Sequence, residues 1–350
     1  MRQFNNGSED NIYFGPTLEI WEGYAADPDI RFSASSGGAL SALSLYCLEK
    51  ENIQFVLHTG MNPDVPWENN TITSRNRVQL LARTGSRYSP SSPCDSIRLI
   101  EENDERCVFI GKPCDASAMM SIREEYPQVL ENVALMLTFF CAGVPSTLGT
   151  LELIRKMSAN EQEISNVRYR GKGWPGDFQL DFKDNRDQKG MTYFDSWHQL
   201  QKFRSLRCHL CPDGLGQIAD ISCGDAWYKY SKESKSLGES LILVRTEKGR
   251  EFLHRAMEAG YLIAKKSNAS NVINSQGLIG RRKELFGRLV ARCIFFLPIP
   301  NFAGFELYKS WKSLSMLKKI SNVLGSIRRI LLKGLWHKNR SGAVIKNLSR

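Results

Sequence analysis

The stretches RCVFIGKPCD (residues 106–115) and VALMLTFFCAGVP (residues 133–145) have the same organisation. Each begins with a short apolar run, typical of a buried strand, and continues into a turn that contains a cysteine. The intervening segment, ASAMMSIREEY, is predicted as a helix. A helix between two continuously apolar strands indicates a parallel βαβ unit.

This unit predicts that two distant cysteines are neighbours in space. Cys114 and Cys141 each follow the end of one of its strands. Parallel strands joined by a right-handed crossover end at the same edge of the sheet, where ligands usually bind in α/β folds. The two thiols are therefore expected to lie at one ligand-binding edge.

Helices and strands are also predicted to alternate in other parts of the chain. A helix with Ala39, Leu40 and Cys47 on one side precedes a predicted strand at residues 53–59, and a strand and an amphipathic helix follow Ser240. The fold class is predicted as mixed α/β (α+β). A βαβ-containing catalytic body is expected at residues 1–265, with a basic, mostly helical C-terminal extension at 266–350.

Charge is distributed unevenly along the 350 residues. The net charge is +10, but residues 281–350 carry sixteen lysines and arginines against two acids, which leaves the remainder slightly acidic. A polyanion is thus a plausible partner for the extension only. The N-terminus shows no secretory signal and no uncharged run is long enough to span a bilayer, so the expected location is the cytoplasm.

Nine cysteines in a reducing compartment indicate buried thiols, metal ligands or catalytic thiols rather than disulfides. Cys47 and Cys293 lie on apolar helical faces and are predicted to be buried. Cys94 and Cys107 have no partner at metal-ligand spacing. These four are therefore interpreted as structural.

The C-x-x-C formed by Cys208 and Cys211 is half of a four-thiolate site. Cys223, or the pair Cys114 and Cys141, can supply the other half. Spacing alone does not separate structural zinc from a 4Fe-4S cluster. Structural zinc more often uses two compact C-x-x-C pairs, so cysteines scattered along the chain modestly favour the cluster.

Two segments could hold an organic cofactor, although neither a G-x-G-x-x-G fingerprint nor a P-loop is present. Ser33–Ala39 leads into a helix start, where backbone N–H groups and the helix dipole favour an anion. RYRGKGWPG combines Arg168, Arg170 and Lys172 with Trp174, which suits a phosphate or a flavin ring. The alternatives are an ordinary Ser-rich helix cap and an exposed hairpin turn.

Seven motifs in order resemble the coenzyme F-420 hydrogenase/dehydrogenase beta-subunit family: IRFSASSGGALSAL, GSRYSP, FIGKPCDASAM, LTFFCAGVPS, YRGKGWPG, CHLCPDGLGQIADISCGDAW and SLILVRTEKG. The resemblance runs from about Ile12 to Leu262. It implies an N-terminal family region at 12–90 and a C-terminal region, carrying the cluster cysteines, at 91–262.

The resemblance implies cofactors and the residues that hold them. A 4Fe-4S cluster would be ligated by Cys114, Cys141, Cys208 and Cys211, whereas Cys223 stands outside that set. FAD would be contacted by Ser35, Ser36, Gly37, Gly38, Ser86, Arg87, Tyr88, Arg170, Lys172 and Trp174. Arg87 replaces a lysine that is frequent in the family.

By resemblance the protein is an iron-sulfur flavoprotein oxidoreductase that passes electrons between the cluster, FAD and an organic substrate or deazaflavin-type coenzyme. No catalytic residue is assigned. Many relatives begin with a ferredoxin-like segment, but no cysteine precedes Cys47, which implies an external electron carrier such as a ferredoxin. Deazaflavin, a tetrapyrrole and a sugar-linked intermediate all stay open as substrates.

Two other functions stay open. The fold could serve as a non-redox accessory or scaffold protein, for instance in a membrane-associated glycan biosynthesis system, or as a structural-zinc module. Near the C-x-x-C, Asp213 and Asp220 are interpreted as turn-capping or solvated acids, and Asp225 as a weak site candidate.

The segment 312–338 combines helically spaced apolar residues with a cationic side. Such a helix can lie at the inner, anionic membrane face, pack on the body with a solvated basic face, or dock an acidic electron carrier. Nucleic acid is disfavoured, because the aromatic residues form no stacking series.

Overall fold

Strands and helices alternate through most of the computed structural model, which describes residues 12–102, 104–123, 125–231 and 236–332. The strands are β1 (Glu19–Ala25), β2 (Phe55–Met61), β3 (Asn69–Ser74), β4 (Cys107–Gly111), β5 (Val133–Phe139), β6 (Ile164–Arg168), β7 (Phe178–Phe182), β8 (Lys189–Met191), β9 (Ile221–Asp225), β10 (Ser240–Val244) and β11 (Leu262–Lys266). The helices are α1 (Pro28–Ser33), α2 (Ala39–Lys50), α3 (Arg77–Leu81), α4 (Ile97–Glu101), α5 (Pro113–Ser121), α6 (Pro127–Asn132), α7 (Thr147–Lys156), α8 (Tyr193–Leu200), α9 (Leu206–His209), α10 (Glu247–Glu258), α11 (Ala269–Ser275), α12 (Gly277–Ile294), α13 (Leu307–Lys312) and α14 (Met316–Leu332).

Eight strands form one mixed sheet in the order β11-β1-β10-β9-β5-β4-β2-β3. The four central strands β2, β4, β5 and β9 run parallel, and the flanking pairs are antiparallel. β4 and β5 pair with Gly111 opposite Thr138, so both leave the sheet at one edge. The predicted βαβ unit and the mixed α/β fold class are confirmed.

Strands β4 and β5 are almost entirely apolar because both faces of the sheet are covered. Adjacent residues of β4 illustrate this, since Val108 belongs to a core that includes Leu43 of α2 and Leu253 of α10. Phe109 belongs to the opposite core with Met119 of α5. Burying one such side chain contributes about 1.5–3 kcal/mol, so the helices on both faces hold this strand edge in place.

A second, antiparallel sheet in the order β6-β7-β8 carries one of the predicted cofactor loops. Phe178 and Leu180 of β7 pack with Leu153 of α7 and Leu200 of α8. The connection from β6 to β7 contains the Gly/Pro-rich segment around Trp174, as expected. It is a long loop rather than a tight turn.

The described part of the C-terminal segment, residues 266–332, contains α11 to α14 and packs on the body. Leu285 of α12 and Leu307 of α13 share a cluster with Leu210, which lies between the two cysteines of the C-x-x-C. Cys293 is exposed, so the prediction of a buried thiol there was wrong; the buried positions at this end of α12 are Ala291 and Arg292. Within the described ranges no helix combines the length and apolarity needed to cross a membrane.

Candidate functional site

Two predicted cysteines lie where the parallel strands end. Cys114 is in the first turn of α5, three residues after β4, and Cys141 is two residues after β5. The Cys141 backbone N–H donates to the Gly214 carbonyl at 2.7 Å, which joins this edge to the loop after the C-x-x-C. The expected proximity of the two strand ends is therefore confirmed and extended to a third segment.

The C-x-x-C loop packs directly against the Cys141 turn. The Val144 N–H points at Cys208 Sγ at 3.4 Å, and Cys211 Sγ lies 3.3 Å from the Asp213 carbonyl. Gly143 has φ +102°, and a Cβ there would stand 3.1 Å from that of Cys208. A side chain at this position would strain the backbone and crowd the contact between the two turns.

The acids near the C-x-x-C have structural roles. Asp213 is buried and accepts hydrogen bonds from the backbone N–H groups of Leu215, Gly216 and Gln217, which confirms the turn-capping interpretation. Asp220 is fully buried, where it accepts from Met136 N–H and pairs with Lys248, rather than being solvated. Both acids fix the loop without entering the site.

The thiols are close enough to affect one another's ionisation. Burial, and then the charges of Cys114, Cys211 and Cys208, raise the pKa of Cys141 to about 12. Burial likewise raises the pKa of Cys211 to about 11 and the pKa of Cys114 above its usual value. A charge on Cys208 adds to the increase at Cys114. A cation bound here would have to displace protons from these thiols.

Three arginines surround these thiols, and none of them was predicted. Arg281 of α12 donates to the carbonyls of Ala142 at 2.6 Å and Cys208 at 3.2 Å. Arg204 also donates to Ala142, and Arg288 donates to the His209 carbonyl at 2.8 Å. These bonds fix the cysteine turns and bring positive charge to a site that becomes negative when its thiols ionise.

The donor set suits a thiolate-ligated metal group. Among the described residues no three His, Cys, Asp or Glu side chains stand at the spacing of a single ion. A 4Fe-4S cluster spreads its four thiolates over four irons, so its ligands stand further apart than those of one ion. The all-cysteine composition and the neighbouring arginines match a group of net negative charge. The residues present therefore fit such a cluster.

Cys223 is separate from these four thiols. It lies in β9 between Phe139 of β5 and Ile242 of β10, within the hydrophobic core, and is 3% exposed. Burial raises the pKa of its thiol above the usual value. The position is that of a small apolar core residue.

The three segments assigned to an organic cofactor converge. The Ser86 N–H donates to Ser35 Oγ at 2.6 Å, and Arg170 Nη2 donates to the Ser35 carbonyl at 2.5 Å. Gly171 has φ +102°, and a Cβ there would collide with the Ser33 carbonyl oxygen. The structure thus brings the serine-rich entry to α2, the Ser86 segment and the β6–β7 loop into one cradle.

The entry to α2 leaves the helix N-terminus without a side-chain cap. Gly38 is the N-cap residue, in the left-handed region at φ +80°. Gly37 packs so closely that a Cβ would lie 2.5 Å from the Gly23 carbonyl oxygen. Ser36 Oγ donates to the Glu239 carbonyl at 3.0 Å. This arrangement leaves α2 N–H groups as donors for an anion.

Arg170 and Asp225 form a buried ion pair at the centre of the cradle. Arg170 is 4% exposed and donates to Asp225 Oδ1 at 2.7 Å and Oδ2 at 3.1 Å. Trp174 Nε1 also donates to Asp225 Oδ1 at 2.8 Å. Asp225, a weak candidate from the sequence alone, therefore organises the loop around Trp174.

Arg87 holds the second segment mainly through hydrogen bonds to main-chain carbonyls. Its guanidinium donates to Val167, Pro66 and Glu68 carbonyls and to Asn69 Oδ1, at 2.6–3.0 Å. With four hydrogen bonds, little of its donor capacity is left for a ligand. Its geometry is that of a loop-positioning residue.

Aromatic rings flank the cradle. The ring centroids of Trp174 and Trp227 are 5.3 Å apart, and the Trp227 ring stacks on Tyr193 with centroids 5.4 Å apart. The Tyr230 ring packs edge-on against Trp174. Tyr88 packs against Trp197, with the ring centroids 5.0 Å apart. The sequence analysis assigned Trp174 and Tyr88 to the site, but not Tyr193, Trp227 or Tyr230.

An open groove of about 390 Å³ lies beside the β6–β7 loop. It is lined by Arg168, Gly171, Lys172, Asp177, Phe178, Gln179, Gly190, Met191 and Thr192. Within the described part of the chain, Nε and Nη1 of Arg168 are buried without a hydrogen-bond partner, and Lys172 is exposed. The groove therefore presents one exposed cation, Lys172, and lies beside the buried guanidinium nitrogens of Arg168.

Two family models match this chain in succession, and both describe the beta subunit of coenzyme F420 hydrogenase/dehydrogenase. The model of its N-terminal part matches residues 20–98. The model of its C-terminal part matches residues 104–270. Together they span more than two thirds of the chain, including the four clustered cysteines and all three cradle segments.

Curated relatives and a solved structure agree with these matches. The coenzyme F420 hydrogenase subunit beta of Methanococcus voltae is 25% identical over 69% of this chain and 81% of its own length. That of Methanosarcina barkeri is 24% identical over 72% and 82%. A chain of the F420-reducing [NiFe] hydrogenase complex from Methanosarcina barkeri superposes with a TM-score of 0.61 at 20% identity, covering 80% of this chain and 95% of that one.

Replacing Asp225 by alanine should destabilise the cradle strongly, because it leaves the buried Arg170 charge without its partner. We expect the free energy of unfolding to fall by about 3 kcal/mol or more, measured by denaturant unfolding followed by tryptophan fluorescence. Glu105→Ala is the matched control, since it breaks a bidentate pair with Arg75 at an exposed position and should cost less than about 1 kcal/mol. Equal, small losses in both variants would contradict this account.

Proposed function

This chain belongs to the coenzyme F420 hydrogenase/dehydrogenase beta-subunit family, and on that premise we propose that it is an iron-sulfur flavoprotein oxidoreductase subunit. It would pass electrons between a 4Fe-4S cluster, FAD and an organic substrate or deazaflavin-type coenzyme. The observation that carries the proposal is the convergence of four cysteines, from three segments of the chain, in one arginine-lined site.

The cluster ligands in this proposal are Cys114, Cys141, Cys208 and Cys211. The strand ends and the C-x-x-C loop position them, and Arg281 with its neighbours offsets the negative charge of the ionised thiols. When bound, the cluster would supply one-electron chemistry and the flavin would couple it to two-electron hydride chemistry.

The proposed FAD site is the cradle formed by the Ser35, Ser86 and Arg170 segments. Ser35, Ser36, Gly37, Gly38, Ser86, Arg87, Tyr88, Arg170, Lys172 and Trp174 are its proposed contacts. Arg87 and Arg170 would act by holding the loops, because their donors bond to protein groups. Among the described residues of the cradle, the N-terminus of α2 and the exposed Lys172 offer donors for an anionic group.

Partners follow from the same reasoning. Relatives are named as subunits of F420 hydrogenases and of F420-dependent formate dehydrogenase. We therefore propose other oxidoreductase subunits, or an external electron carrier such as a ferredoxin, as the electron partner of this chain, and a small organic molecule as its redox substrate.

Cys211→Ser should abolish cluster binding, because the serine removes one of four thiolate ligands. Anaerobically purified wild-type protein is expected to hold about four irons per chain, and the variant should lose most of this iron and its visible absorbance. Cys223→Ser is the matched control and should keep both, since Cys223 lies in the core. The reverse pattern would contradict the ligand assignment, and zinc in place of iron in the wild-type protein would contradict the proposed function.

Arg281→Gln should make the cluster harder to reduce. Removing a nearby positive charge disfavours the added electron, so the midpoint potential should shift by roughly 50 mV to a more negative value, about 1 kcal/mol. Redox titration followed by electron paramagnetic resonance measures this shift. Arg329→Gln, a change on the exposed face of α14, is the control and should leave the potential unchanged. An unchanged potential in Arg281→Gln protein with full iron content would show that Arg281 only positions the loops.

A further inference from the structure

The last described helix, α14, exposes a continuous apolar stripe. Met316, Leu317, Ile320, Leu324 and Leu331 are between 52% and 81% exposed. At the pitch of an α-helix these five positions fall within an arc of about 100°. They therefore form one surface along the helix rather than scattered apolar contacts.

The orientation of this stripe is fixed by packing on the neighbouring face of α14. Ile330 is 5% exposed and clusters with Ala291 of α12 and with Leu297, and Ile327 packs against the same group. Because this face holds α14 on the body, the helix cannot rotate to bury its outer stripe without breaking these contacts. The stripe is thus a stable part of the surface.

Cations lie on the free side of the helix. Arg328 borders the apolar stripe, and Lys318 and Arg329 lie further around the helix; all three are exposed. No acidic residue occurs between Met316 and Leu332. The exposed charges of α14 are therefore all positive.

A second group of exposed apolar residues lies in the turn that packs on the C-terminal end of α14. Phe296 is 92% exposed in the turn after α12, and its neighbours Phe295 and Leu297 pack in the same cluster as Ile330 of α14. Ile294 is 54% exposed beside it. The Phe296 turn and the stripe consequently present apolar side chains from the same packed unit.

We propose that α14 and the Phe296 turn dock this protein on the surface of an anionic lipid bilayer. An apolar stripe with arginine and lysine side chains next to it around the helix matches a helix lying in the membrane interface, where the apolar side chains enter the acyl boundary and the cations meet anionic headgroups. Protein interfaces instead deplete lysine at their core and match charges of both signs. Residues 333–338, the end of the cationic segment expected from the sequence, lie outside the described residues.

Vesicle flotation of the full-length protein tests this proposal. We expect binding to vesicles of about three parts phosphatidylcholine to one part phosphatidylglycerol, and at least tenfold weaker binding to phosphatidylcholine alone. The L317S/L324S variant should bind anionic vesicles at least tenfold more weakly, and so should R328E/R329E, which reverses the arginine beside the stripe and its neighbour. Val78→Ser is the matched control, because Val78 is 79% exposed on α3 and lies outside this surface.

Several results would overturn the proposal. These are equal binding to neutral and anionic vesicles, no binding to either, or anionic binding that both double variants retain. Light scattering tests whether a second copy of this chain covers the stripe instead. A wild-type dimer that becomes monomeric in the L317S/L324S variant, together with no vesicle binding, would assign the stripe to a dimer interface. Iron and flavin content, measured on the same samples, separates this outcome from a failure of the proposed redox function.

Discussion

Parallel pairing of β4 and β5 forces the chain to leave both strands at one edge of the central sheet. That constraint delivers Cys114 and Cys141 to the same place although 26 residues separate them. The hydrogen bond from the Cys141 N–H to the Gly214 carbonyl then joins the segment that follows the C-x-x-C to this edge. The arrangement of the four thiols follows from the topology of the sheet more than from any local motif.

The basic C-terminal extension has two distinct surfaces. Its inward arginines, above all Arg281, bond to carbonyls of the cysteine turns and carry charge into the site. Its outward side carries an exposed apolar stripe with Arg328 next to it. One segment thus completes the proposed electron-transfer site and presents a surface suited to an anionic bilayer.

The sequence predicted those parts of the fold and of the candidate site that local spacing or sheet topology determines. The βαβ unit, the proximity of its two strand ends and the turn-capping role of Asp213 follow from periodicity and spacing. Arg281 could not be identified as a site residue from the sequence, because its acceptors are main-chain carbonyls more than 70 residues away and carry no sequence signal. Cys293 was wrongly predicted as buried, because periodicity alone does not show which face of α12 a neighbouring element covers.

We have proposed that this chain exchanges electrons between a flavin and an iron-sulfur cluster. Anaerobic photoreduction of the purified full-length protein, followed together by visible absorbance and electron paramagnetic resonance, is the decisive measurement. We expect the flavin to bleach while a reduced-cluster signal appears, and both to revert when an oxidant is added. A colourless protein that contains zinc, or a flavin that cycles without any cluster signal, would overturn the proposal.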